Sequence, residues 1–317
     1  MNSSELNVVF GTGPVAMAVM RELVKQGKRV RMVNRSGKAD VPAGVEVIKS
    51  DLYDLSKARE AASSAAVVYQ CAQPAYTEWT TKFMPLQATI LEAAAFVGAK
   101  LVIADNLYMY GHVNGPMTED LPYAAHTRKG KTRAEMALAA LDAHKAGKVR
   151  VTIGRAADFF GAGVFDSAVG ERVFPNTLQG KGVTMIGDLD MPHTYTYIND
   201  FGRGLVTLGE HDAALGRAWH VPSAETLTTR EFVSMVFEEA GFPAKVSSAP
   251  ALVLKAMGLF MPILREVVEM MYQFEEPFVL DHGQFTRTFG QTPITPHREA
   301  IRQTLAWYRQ HMAAKAA

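Results

Sequence analysis

At 317 residues and 48% hydrophobic content, the chain has ample material for a large core or for two associated units. Its 33 Lys and Arg against 32 Asp and Glu leave a net charge of +1, which excludes the broad positive field on which nucleic-acid binding usually depends. The single cysteine, Cys71, excludes an intrachain disulfide and a multi-cysteine zinc site, and the reading it supports is a cytoplasmic protein in a reducing compartment.

The N-terminus, Met1 to Leu6, has no secretory pattern and leads into an expected strand over Asn7–Phe10. Short β-branched runs then alternate with longer Ala-rich stretches. Strands are expected at Arg29–Asn34, Val45–Lys49, Ala66–Cys71, Lys100–Ala104 and Arg150–Gly154, with helices at Val15–Gln26, Asp54–Ser63, Thr80–Val97 and Lys131–Ala146. This rhythm spells successive βαβ units and a doubly wound parallel sheet of the Rossmann type over residues 1–160. From residue 161 to 317 the rhythm breaks into Gly- and Pro-rich turns, a helix at Thr229–Ala240, a helical pair between Ala251 and Phe274 and a terminal helix from Pro296 to about His311. A smaller, mostly helical substrate-binding part is expected there, with part of 190–222 returning to the first unit. Pro250, Lys255, Pro262, Arg265 and Glu266 interrupt the stretch Ala249–Phe274, so it does not read as a membrane span.

The first strand ends in Val8-Val9-Phe10-Gly11-Thr12-Gly13-Pro14-Val15-Ala16. Gly11 suits a tight turn, Gly13 admits a pyrophosphate close to the backbone, and Ala16 allows close packing of helix on strand. A pyrophosphate would meet the unpaired N–H groups at the helix start. After the second strand, Asn34-Arg35-Ser36 stands where NAD-binding chains normally carry an acid. Arg35 can engage a 2′-phosphate that a carboxylate would repel, so NADP is preferred and NAD remains admissible.

Further segments fall in the same order as in the extended short-chain dehydrogenase/reductases, the group of nucleotide-sugar epimerases and dehydratases, and the chain resembles a divergent member of that family. Asp51-Leu52 is similar to its adenine-contacting pair, Cys71-Ala72-Gln73 to the cofactor-facing end of its fourth strand, and Asn106-Leu107-Tyr108-Met109-Tyr110-Gly111 to its Tyr-Gly segment. The stretch Lys131-Thr132-Arg133-Ala134-Glu135 resembles the helix that carries the family's lysine. Arg155-Ala156-Ala157-Asp158 resembles the turn facing cofactor and substrate, and His193 lies in a segment similar to its late strand.

The resemblance implies Lys131 as a catalytic and cofactor-binding residue, Ala156 as a cofactor contact, and Asp158 and His193 as substrate contacts. It also implies a homodimer through the helices at 80–97 and 131–146. The family's tyrosine, four residues before its lysine, is Thr127 when counted from Lys131, and its Ser or Thr is Asn106. A threonine hydroxyl cannot exchange a proton as a phenol does. Tyr108, where dehydratases place a carboxylate, is the expected replacement acid, with Asn106 polarising a carbonyl. His193 stands where sugar-nucleotide enzymes commonly have an arginine, and an imidazole is a poor clamp for a diphosphate.

The expected activity is NADP-dependent hydride transfer to or from a small or medium carbonyl or alcohol. The alternatives are an epimerase or dehydratase with transient cofactor redox, and a non-catalytic dinucleotide sensor. The nine histidines lack metal-ligand spacing and no Gly-x-Ser-x-Gly elbow occurs, so no metal, nucleic-acid or membrane partner is expected.

Overall fold

The computed structural model describes residues 5–249 and 262–316. Seven parallel strands form one sheet, in the order β11-β6-β5-β4-β1-β2-β3. They are β1 (Leu6–Phe10), β2 (Arg29–Asn34), β3 (Glu46–Lys49), β4 (Ala65–Gln70), β5 (Lys100–Asp105), β6 (Arg150–Arg155) and β11 (Ala218–His220). The central β1, Leu-Asn-Val-Val-Phe, is buried throughout, as a parallel strand covered on both faces must be. Strand order reverses between β1 and β4, which opens a crevice beyond their carboxyl ends.

One face of the sheet packs on α2 (Leu55–Ala61), α3 (Trp79–Val97) and α4 (Arg128–Lys145) through residues such as Val8, Phe83, Ile90, Met136 and Ala140. The other packs on α1 (Pro14–Lys25) and α6 (Ile198–Glu210) through Val19, Leu23, Phe201 and Leu205. Pro14 at the first position of α1 lacks an N–H that would in any case have no partner within the helix.

Residues 198–220 therefore lie with the sheet, α6 beneath it and β11 along its edge. A second core gathers Phe160, Phe174, Val183, Phe232, Val236, Ile301 and Tyr308. It is built from α5 (Phe174–Leu178), α7 (Thr229–Ala240) and the terminal helix, His297–Ala316. α7 opens with a reciprocal cap between Thr228 and Glu231. This part also holds three short strand pairs that the broken rhythm did not announce. β7 (Asp158–Phe160) lies parallel to β10 (Tyr195–Tyr197), β8 (Val183–Ile186) parallel to β13 (Val246–Ala249), and β9 (Pro192–His193) antiparallel to β12 (Leu227–Thr228). Of the expected helical pair, α8 (Pro262–Glu269) and α9 (Tyr272–Glu275) are seen, and residues 250–261 lie outside the described residues.

Candidate active site

The turn after β1 is shaped by what crosses it. Gly11 has φ +112°, and a Cβ there would lie 3.0 Å from the backbone nitrogen of Ala72 at the end of β4. Gly13 caps α1 with extended backbone and faces open space, leaving room for a pyrophosphate at the helix start. Thr12 accepts a hydrogen bond from the Asn34 amide at 3.0 Å, which ties this turn to the end of β2.

The same Asn34 amide donates to the Lys38 carbonyl, while its oxygen accepts from Ser36 and Gly37. Asn34 thus organises its own loop, whereas Arg35 stands exposed at the rim. Beyond β3, Leu52 is buried and the exposed Asp51 carboxylate accepts from the Tyr53 N–H. Cys71 and Ala72 are half-buried, Gln73 is exposed, and burial pushes the Cys71 thiol pKa up, so it is no ready nucleophile.

At the end of β5, the Asn106 side-chain oxygen accepts the Tyr108 N–H at 3.1 Å and turns the chain. The Tyr108 hydroxyl interacts with that of Tyr76, and burial, then the neighbouring Tyr76 and Asp158, hold its pKa well above the usual tyrosine value. Tyr76 is likewise pushed up to about 12 by burial. Tyr272, from α9, faces Tyr108 and Asp158 with a buried hydroxyl that has no partner.

Helix α4 presents a different lysine from the one the sequence suggested. Lys131 is exposed on its outer surface, and Thr127 is the N-cap, its hydroxyl accepting the Gly130 N–H at 3.1 Å. Facing inward are Lys129 and Arg133, at 1% and 4% exposure. Residues four apart share a helix face, whereas a two-residue step turns the side chain through about 200°.

The Lys129 ammonium lies 4.3 Å from the centre of the Tyr76 ring and pairs with Glu266 and Glu269 of α8. Burial lowers its pKa. Arg133 stacks on Trp79 at 4.1 Å and donates to Asp105 at 3.3 Å. Gly130 allows this approach, because a Cβ there would lie 2.5 Å from the Tyr108 carbonyl oxygen. The missed signal was Lys129-Gly-Lys-Thr-Arg133, two cations at the family's tyrosine-to-lysine spacing.

Asp105 also anchors a buried network. Arg155 donates to Asp105 at 3.1 Å, to the Tyr110 hydroxyl at 2.7 Å and to the Tyr123 hydroxyl at 2.6 Å. Tyr110 donates a hydrogen bond to His220 Nε2 at 2.8 Å, while Nδ1 donates to the Asp281 carbonyl at 2.9 Å. Desolvation by burial, followed by the Arg155 charge, lowers the His220 pKa to about 4 and keeps it neutral.

On the substrate side, β7 brings Asp158 beside Tyr195, and Ala156 is fully buried beneath. His193 Nε2 lies 2.9 Å from the Asp158 carboxylate, and Nδ1 lies 3.2 Å from the Gln273 carbonyl oxygen. The imidazole also lies between the rings of Phe274 and Phe278, at 5.2 and 5.1 Å. Both of its nitrogens are committed, leaving none for a phosphate. Among the described residues, no group of three His, Cys, Asp or Glu side chains gathers as a metal site.

A glycine turn at the strand-order reversal, with a cluster of tyrosines and the inward cations of α4 at the same end of the sheet, defines a dinucleotide-binding α/β protein. The sequence pattern of the NAD dependent epimerase/dehydratase family matches residues 8–221, and the chain belongs to that family of enzymes. It is 24% identical over 225 residues to a dTDP-glucose 4,6-dehydratase of Streptomyces griseus, covering 70% of this chain and 63% of that protein's length.

Among solved structures, an epimerase of Methanothermobacter thermautotrophicus superposes with a TM-score of 0.81 at 17% identity, covering 98% of this chain and 94% of the other. The dTDP-glucose 4,6-dehydratase DesIV of Streptomyces venezuelae, with NAD and TYD bound, gives 0.79 at 17% identity and 98% of both chains. The UDP-glucuronic acid 4-epimerase of Bacillus cereus, with UDP-glucuronic acid and NAD, gives 0.78 at 18% identity, covering 96% of this chain and 99% of the other.

Proposed function

We propose that the protein is a nicotinamide-dependent enzyme of the epimerase/dehydratase type that moves a hydride between its cofactor and an alcohol or carbonyl carbon of a substrate lacking a nucleoside diphosphate. The observation that carries this reading is the open glycine turn at the carboxyl end of the sheet, together with the cluster of half-buried Tyr76, Tyr108 and Asp158 and buried Tyr272 and Lys129. Gly11, Thr12, Gly13, Pro14 and Val15 would cradle the pyrophosphate, with Asp51 and Leu52 beside the adenine and Cys71, Ala72, Gln73 and Ala156 along the nicotinamide half. When bound, the nicotinamide supplies the hydride donor or acceptor.

Asn106 offers its amide N–H groups to a substrate oxygen, and Tyr108, held protonated, donates a hydrogen bond rather than abstracting a proton. Asp158 would accept a substrate hydroxyl or amine. A carboxylate at that place, beside a histidine with both nitrogens engaged, favours a neutral or cationic group over a diphosphate.

NADP is the favoured cofactor, since the end of β2 carries Asn34, the exposed Arg35 and Ser36 and no acid. The exposed Phe96 on α3 and Leu138 on α4 support a homodimer through those helices, and the single cysteine supports a cytoplasmic setting.

Calorimetric titration with NADPH and NADH, on the wild type and Arg35→Asp, tests the reading. Tight NADPH binding that weakens at least tenfold in the variant is expected, a loss of about 1.4 kcal/mol. Binding of neither nucleotide to the wild type would remove the reading altogether. With a turned-over substrate, net accumulation of reduced or oxidised nicotinamide separates an oxidoreductase from an epimerase or dehydratase.

A further inference from the structure

We infer that Lys129 is the catalytic proton donor, standing on α4 where the family's tyrosine would stand, and that Arg133 occupies the place of the family's lysine. This rests on the cofactor reading above. Three independent features of the chain point to it. Lys129 and Arg133 are four residues apart and are the two cations on the inward face of α4 among its described residues, while Arg128, Lys131 and Lys145 are exposed. Gly130 presses on the Tyr108 carbonyl, which fixes the first turn of α4 against the segment holding Asn106 and Tyr108. The Lys129 ammonium lies over the Tyr76 ring, whose hydroxyl reaches Tyr108, so the amine belongs to the hydroxyl cluster and not to the helix surface.

Burial makes this ammonium readier to release its proton than a solvated lysine, whereas Thr127 is taken up as the helix cap and burial makes the tyrosines harder to ionise. It has three N–H donors, pairs with Glu266 and Glu269, and faces the Tyr76 ring with its nitrogen enclosed. In the reductive direction, the carbonyl carbon gains a hydride from the reduced nicotinamide and the carbonyl oxygen gains a proton from Lys129. A C–H and an O–H bond form as the C=O π bond breaks, the nicotinamide leaves oxidised, and the amine recovers its proton from water. Arg133, held by Asp105 and stacked on Trp79, supplies fixed positive charge and cannot itself exchange the proton.

The oxidised nicotinamide ring is a cation and the reduced ring is neutral, so the ratio of their dissociation constants reports a nearby ammonium without any substrate. A like charge within about 4–6 Å disfavours the charged form by roughly a factor of ten or more. The experiment measures NADP+ and NADPH affinity by calorimetry for the wild type, Lys129→Met, Lys129→Arg and, as a surface control, Lys145→Met. Reduction of para-nitrobenzaldehyde by NADPH is followed in parallel, with circular dichroism to confirm folding.

Lys129→Met is expected to improve NADP+ affinity relative to NADPH about tenfold, whereas Lys129→Arg and Lys145→Met leave the ratio unchanged. Aldehyde reduction is expected to be lost in both Lys129 variants, since the arginine keeps the charge but not the exchangeable proton. An unchanged ratio in Lys129→Met with both nucleotides bound, or reduction surviving in either Lys129 variant, overturns the assignment. If the wild type binds nucleotide but leaves this aldehyde untouched, the affinity ratio alone decides. If it binds neither nucleotide, the cofactor reading fails first and the assignment falls with it.

Discussion

Replacing Tyr110 by phenylalanine removes one oxygen from the middle of a buried chain and leaves the ring in place. The hydroxyl accepts from Arg155 at 2.7 Å and donates to His220 Nε2 at 2.8 Å, and all three residues are at most 1% exposed. Water cannot replace the lost oxygen without entering the core between β5, β6 and β11. One guanidinium N–H and one imidazole nitrogen are left unpaired, at about 1–3 kcal/mol each, so roughly 3 kcal/mol of stability should be lost. Against a total of about 5–15 kcal/mol this is a large fraction. Urea unfolding near neutral pH would measure it, with the exposed Tyr53→Phe as a comparison that should lose under about 0.5 kcal/mol. A Tyr110→Phe protein within about 0.5 kcal/mol of wild type would refute the claim that this network bears on stability.

The same network sets an acid limit. An unfolded His220 takes up a proton below pH 6.5, whereas the folded one resists until about 4, so the unfolded state binds more protons across that window and stability falls as pH drops through it. A shift of this size corresponds to roughly 3 kcal/mol, and His220→Gln should flatten the acid limb of a plot of urea midpoint against pH; an unchanged limb would mean that other groups carry it. Gly130→Ala should cost about 1–3 kcal/mol, because its methyl would meet the Tyr108 carbonyl oxygen, which is backbone and cannot swing aside. Thermal unfolding measures that cost, and a melting temperature equal to wild type would show that α4 does not need its close approach.

The sheet was legible because each strand is a short apolar run between clear breaks. The expected Arg29–Asn34 coincides with β2, and Asn7–Phe10 and Lys100–Ala104 differ from β1 and β5 by one residue at one end. Hydrophobic periodicity worked there because burial and apolarity coincide. At the start of α4 they part company. Its first inward residues are Lys129, Gly130, Thr132 and Arg133, so the buried stripe carries no apolar signal, and among several basic residues the register slipped by two. The Asp158–His193 pair was hidden for another reason. It forms across 35 residues because β7 pairs with β10, which follows His193 by two residues, and no local pattern encodes such a pairing. The Asn34 amide is taken up by Thr12 and Lys38, which only the folded loop could show.

The carboxylates of α8 and the lysine of α4 belong to one change. A tyrosine at position 129 could be buried against Tyr76 with its hydroxyl in the cleft and would need no counter-charge. An ammonium there needs one, since an unpaired buried cation costs several kcal/mol. Glu266 and Glu269 supply it from the second unit, and Glu269 also receives the N–H groups of Arg128 and Lys129, capping the start of α4. The position of the proposed proton donor therefore depends on how the segment 262–269 docks, and neither the lysine nor its two carboxylates is stable in this place without the others.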